Sequence, residues 1–193
     1  MRPKRNQTIH WLLTFLLLLS VSSIDGGGWK LVRHVPAGNR WHKAKDQLKG
    51  TEAYGTPCGA TCAKEWSIKF HKEPFDQFLF ATGDEKKWLI ADKDAVVGGW
   101  YANGQRTIYK SSTNPKSYKA RWYRRSGNLE DPWISLNDHG AAIGQGNILY
   151  GGNHFSSTHA KAVLPKHKGA NVFIRIKRKL RLIFDVFHFR FYW

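Results

Sequence analysis

The chain has 193 residues, a net charge of +17 and nine tryptophans within an aromatic content of 14%. That length points to one domain with short appendages, and the aromatic content supplies a core, which excludes a disordered chain. The surplus of positive charge favours glycans or other anionic extracellular surfaces as partners, although such charge is commonly no more than a solvated surface.

Residues 1–23 have the pattern of a secretory signal. Arg2, Lys4 and Arg5 make a basic start, Trp11 to Leu19 is an apolar run, and Val21-Ser22-Ser23 offers small residues for cleavage. The run is shorter than the roughly 20 apolar residues a membrane span needs. Asn6-Gln7-Thr8 is the chain's single glycosylation sequon and would leave with the signal. The expected location is therefore extracellular. In that setting Cys58 and Cys62, in CGATC, are expected to form a small local disulfide. Three intervening residues do not suit a two-residue redox motif, and no further ligands nearby suggest zinc.

In chain order, Trp29, Leu31 and Arg33 alternate with Lys30, Val32 and His34, which predicts a first strand. Glu65 to Phe70 predicts a half-buried strand, with Trp66, Ile68 and Phe70 on one face. Phe75 to Ala91 predicts a hairpin that turns at Gly83-Asp84. A second hairpin is predicted around Asn103-Gly104, joining Trp100-Tyr101 to Thr107-Ile108-Tyr109. Tyr118 to Arg124, Trp133 to Leu136, Ile148 to Tyr150 and Asn171 to Arg175 complete the set. No long 3.6-residue apolar stripe interrupts them. The expected fold is all-β or strand-dominated α+β, a single compact domain of short antiparallel strands and long loops over residues 24–175.

Residues 176–193 change character. Four basic residues between Lys177 and Arg181 precede an aromatic run ending in Phe191, Tyr192 and Trp193. The shift fits either an edge strand or membrane-touching tail, or a segment foreign to the native domain, so membrane contact is expected only there.

Asn137 to His159, NDHGAAIGQGNILYGGNHFSSTH, is the candidate binding region. It gathers three histidines, five glycines, three asparagines and one aspartate. Glycine-rich polar stretches of this kind form loops, and loops on a rigid scaffold carry binding sites. Asp138, Asn153, His154 and His159 are the candidate ligand-binding side chains. Arg124 and Arg125, beside Arg121, could fork onto the carboxylate or sulfate of an acidic glycan. Trp100, Tyr101, Trp122, Tyr123 and Trp133 offer rings on which a sugar could stack, unless they are core. Asp92 and Asp94, two residues apart in ADKDAVVGG, are the candidate metal ligands, unless they form an ordinary acidic turn balanced by Lys93. The spacing of His139, His154 and His159 is no recognised zinc signature. Ser156 and Ser157 lack a nucleophile elbow, and the adjacent carboxylates Glu130 and Asp131 would point oppositely on a strand. No catalytic residue is assigned.

The opening Gly26-Gly27-Gly28-Trp29-Lys30-Leu31-Val32 resembles the start of fibrinogen-related domains and of the intelectin lectins. The passage through Tyr150-Gly151-Gly152-Asn153-His154-Phe155 to the terminal NVFIR strand is similar to the way intelectins finish. The resemblance implies a secreted lectin that binds sugar diols through calcium near the end of the domain. It makes Asn153, His154 and, further along, His159 the region of interest. The expected function is thus a secreted, lectin-like, carbohydrate-binding recognition protein, non-enzymatic and not a nucleic-acid binder. A secreted hydrolase and a basic membrane-active defence protein are the alternatives.

Overall fold

In the computed structural model, residues 22–36, 44–97, 104–123, 133–136, 148–150 and 169–176 are described. They form ten strands, one 3-10 turn at Ile24–Gly26 and one helical turn. The strands are β1 (Lys30–Pro36), β2 (Trp66–Ser67), β3 (Gln77–Thr82), β4 (Trp88–Asp92), β5 (Gly104–Ile108), β6 (Lys110–Ser111), β7 (Tyr118–Tyr123), β8 (Trp133–Ser135), β9 (Ile148–Tyr150) and β10 (Gly169–Arg175); α1 is Lys93–Val97. A six-stranded sheet has the order β2-β1-β10-β3-β4-β6, and a four-stranded sheet the order β5-β7-β8-β9. Every pairing is antiparallel. The domain is strand-dominated and single.

The two sheets face one another across the main core. Val32 and Val35 of β1, Phe78 and Phe80 of β3, Leu89 and Ala91 of β4, and Ala170, Val172 and Ile174 of β10 meet Ile108, Ala120, Ile134, Leu149 and Tyr150 of the smaller sheet. The Phe80 and Tyr150 rings lie 5.9 Å apart across the gap. The alternate residues of the large sheet, Leu31, Leu79, Ala81, Ile90 and Phe173, face the other way and build a second core with Trp29 and Trp66. Ile24, Ala60, Cys62, Ile68 and Trp88 pack against it. The large sheet is therefore covered on both faces, and all of β3 and β10 is buried. A strand buried on both faces reads as a continuous apolar run rather than an alternation.

This double burial changes the first strand from the expected one. A register shift between Leu31 and Arg33 inserts a bulge into the β1–β10 pairing, after which Arg33 faces Val172 and His34 faces Asn171. Arg33 points into the main core, with its guanidinium 5.4 Å from the Phe70 ring, and His34 lies on the Trp66 side. Both are buried. β2 is also shorter than the predicted 65–70 strand. Trp66 and Ser67 alone are assigned to it, with Ser67 bridged to Tyr54 on its outer side.

The 75–91 hairpin is present as β3 and β4, in register from Gln77↔Asp92 to Ala81↔Trp88. Of the predicted Asn103-Gly104 hairpin, the second arm is described, as β5. β5 begins at Gly104 and pairs with β7, Thr107 lying opposite Lys119, while residues 98–103 are outside the described set. The short β6 between them crosses to the large sheet and pairs with β4.

Close approach requires glycine beside β2. Gly55 has φ +66°, and a Cβ there would overlap the carbonyl oxygen of Glu65, which admits no larger residue beside β2.

Candidate functional site

Within the Asn137–His159 region, β9 is the described part. Leu149 and Tyr150 are buried in the main core, and β9 pairs with β8 at the edge of the small sheet. The segments on either side of β9 thus start from a strand fixed by packing. Asp138, Asn153, His154 and His159 lie outside the described residues, as do Arg124 and Arg125.

Asp92 and Asp94 are described, and they share a cleft. Asp92 ends β4 and Asp94 sits in α1. With Phe75, Asp76 and Lys93 they line a depression of about 360 Å3. The Lys93 backbone N–H donates to the Asp76 carbonyl at 2.7 Å, which folds the β4–α1 junction over the start of β3. Lys93 Nζ lies 4.1 Å from the centre of the Phe75 ring, placing a cation on the one aromatic face of the cleft. Asp92 Oδ1 accepts a hydrogen bond from Gln77 Nε2 at 3.1 Å. The three carboxylates are solvent-exposed. Calcium takes six to eight oxygen ligands. Among the described residues no group of three or more His, Cys, Asp or Glu side chains is placed to hold a metal ion. The cleft is an open acidic depression whose three carboxylates do not by themselves complete a calcium shell.

The two stretches that carry the resemblance meet in space. Arg175, the last residue of β10, lies with its guanidinium carbon 3.9 Å from the centre of the Trp29 ring. Its Nη1 donates to the carbonyls of Asp25 at 2.8 Å and Gly27 at 3.1 Å, and its Nε donates to Gln77 Oε1 at 3.1 Å. Its Nη2 pairs with the Asp25 carboxylate, which also pairs with Lys110 of β6. Gly26, Gly27 and Gly28 all have positive φ, so the chain can curl until its carbonyls face the guanidinium. Burial tends to raise the Asp25 pKa. The hydrogen bonds and charges of Lys110 and Arg175 outweigh it and hold the carboxyl below its ordinary value of 3.8. The GGGW opening and the closing arginine are one structural clamp that ties the 3-10 turn to the large sheet.

A second polar group holds the cysteine loop. Cys58 and Cys62 are disulfide-bonded, with their Cα atoms 5.6 Å apart. Side chains from three strands grip the loop carbonyls. His34 Nε2 lies 2.8 Å from the Cys62 oxygen, Trp66 Nε1 donates to Gly59 at 3.2 Å, and Asn171 Nδ2 donates to Ala60 at 3.4 Å. His34 Nδ1 is in turn 2.6 Å from Asn171 Oδ1. The loop is thereby a lid on the second core.

On the opposite face, Arg33 forms a fully buried pair with Asp46, Nη2 lying 3.1 and 3.0 Å from the two carboxylate oxygens. Backbone N–H groups of Leu48, Thr51 and Glu52 also donate to that carboxylate. Sequence reading missed Arg33, His34, Asn171 and Arg175 as packing residues, because a polar side chain on a strand reads as outward-facing. Arg175 alone left a signal, as the closing cation of a conspicuous NVFIR segment.

No protein-family model, curated protein or solved structure matches the chain.

Proposed function

We propose that the protein is a secreted, non-enzymatic recognition protein that binds carbohydrate through the loops of residues 137–159. The observation that supports this reading best is the anchoring of β9. A buried strand bolted to Phe80 gives the polar, glycine-rich segments on both sides a fixed base, and binding loops depend on such a base for their geometry. The disulfide is in keeping with an oxidising compartment outside the cell. Asn153, His154, His159 and Asp138 are the side chains proposed to meet the sugar. Calcium is the ion the resemblance implies, and its part is read directly by chelation.

The test is a glycan array probed with protein produced from the full sequence through a secretory host, with calcium and again with EDTA. Retention on defined neutral sugars, abolished by Asn153→Ala with His154→Ala, is the expected result. Retention that survives EDTA would keep the loops and remove the metal. Binding to sulfated glycans alone, unaffected by the loop substitutions, or no binding to any glycan, would overturn the reading.

A further inference from the structure

We propose that the solvent face of the β5–β7 pair is a docking surface for a sulfated polysaccharide. The idea adds a ligand class to the glycan reading above but rests on different residues, so each can fail alone.

Residues 95–129 contain Arg106, Lys110, Lys116, Lys119, Arg121, Arg124 and Arg125 and no carboxylate, whereas all 14 Asp and Glu residues of the chain lie elsewhere. An ordinary solvated face interleaves both signs. The structure describes the middle of this run and sorts it by face. Ile108 and Ala120 are buried in the main core. Gln105, Thr107 and Lys119 alternate with them and are exposed. The register puts Thr107 directly opposite Lys119, so a hydroxyl and an ammonium are neighbours across the strands. Lys116, in the turn that leads into β7, is exposed as well. Among the described residues neither Lys116 nor Lys119 is ion-paired, whereas Lys110 is already committed to Asp25.

The chemistry fits a permanently ionised sulfate ester on an extended chain. Ammonium groups supply the charge, and the hydroxyl and amide of Thr107 and Gln105 meet sugar oxygens. An extended ligand also suits a flat sheet face, which offers a row of contacts rather than a pocket.

The experiment uses the full secreted chain on immobilised heparin, with chemically desulfated heparin, duplex DNA and anionic phosphatidylserine vesicles as competitors at matched salt. The parent protein is expected to bind heparin, and EDTA and the Asn153→Ala/His154→Ala variant should leave that binding unchanged. The double variant Lys116→Glu/Lys119→Glu should weaken it roughly tenfold, the loss of charge-assisted contacts worth one decade of affinity. Lys64→Glu/Lys69→Glu changes net charge equally at exposed positions elsewhere, and should weaken binding much less. Equal losses in the two double variants would mean bulk charge and overturn the proposal. So would no heparin binding, undiminished binding after desulfation, or equal competition by DNA or vesicles. A circular dichroism melt unchanged in both variants separates lost contacts from lost fold.

Discussion

The two sheets solve different problems with the same kind of strand. The large sheet is buried on both faces, so each polar group within it must be paired inside the protein. Arg33, His34, Asn171, Gln77 and Arg175 are all buried, and each one meets a carboxylate, a carbonyl or an amide. In the small sheet, β5 and β7 bury one face and leave the other in water, where Gln105, Thr107 and Lys119 are exposed without such constraints. Charge on the first sheet is structural, because an unpaired buried charge is costly. On the second, Lys119 faces water. Side-chain chemistry alone does not tell these cases apart; the number of covered faces does.

That contrast can be broken from the large sheet first. Arg33→Ala strands the Asp46 carboxylate in the core, and urea unfolding should show a loss of about 3–5 kcal/mol. A loss near that of a surface substitution would mean water reaches Asp46 and the double burial is overstated. Removing the disulfide with Cys58→Ser and Cys62→Ser should cost about 2 kcal/mol, the chain-entropy value for so short a loop. Amide hydrogen exchange should then speed up at Trp66 and in β1 before it does in β7, because the lid covers only the second core.

Asp25 gives a pH test. Its folded pKa is depressed, so its stabilising contribution is complete above the ordinary value of 3.8 and is lost as pH falls through the lower folded value. Asp25→Asn should therefore be less stable than the parent by about 1–2 kcal/mol at neutral pH, the scale of hydrogen bonds to a charged group. The gap should close below about pH 4. A gap that stayed constant with pH would show that the clamp is held by the Asp25 and Gly27 carbonyls rather than by charge. The smallest effect is expected on the other sheet. Lys119→Ala should change stability by no more than about 0.5 kcal/mol, and a larger loss would place Lys119 in a structural role.

Much of the fold was legible in the chain. The 75–91 hairpin could be read because aromatic and aliphatic runs flank a polar turn. β7, β8, β9 and β10 could be read as short apolar or alternating segments. Lys93–Val97, in the stretch read as candidate metal ligands or else an acidic turn, form α1, a single helical turn too short to leave a periodic signal. The first arm of the hairpin expected at Asn103-Gly104 lies outside the described residues, and the β5–β7 pairing that is described depends on contacts that local sequence does not encode. Asp92 and Asp94, named as candidate metal ligands, both line the cleft beside β4. Their cleft also holds Asp76, Lys93 and Phe75, sixteen or more residues away for two of the three, which spacing could not reveal.

By itself, the sequence determined strand character and the local cysteine pair, because each depends on neighbours along the chain. The tertiary structure alone decided that β10 lies between β1 and β3, and that the small sheet covers one face of the large sheet while Trp29, Trp66 and the cysteine loop cover the other. That decision turned Arg33, His34 and Arg175 from apparent surface residues into buried fasteners. It also brought the first and last motifs together at Trp29 and Arg175. The physical reason is the same in each case: burial is a property of what packs from above and below a strand, and those partners come from distant parts of the chain.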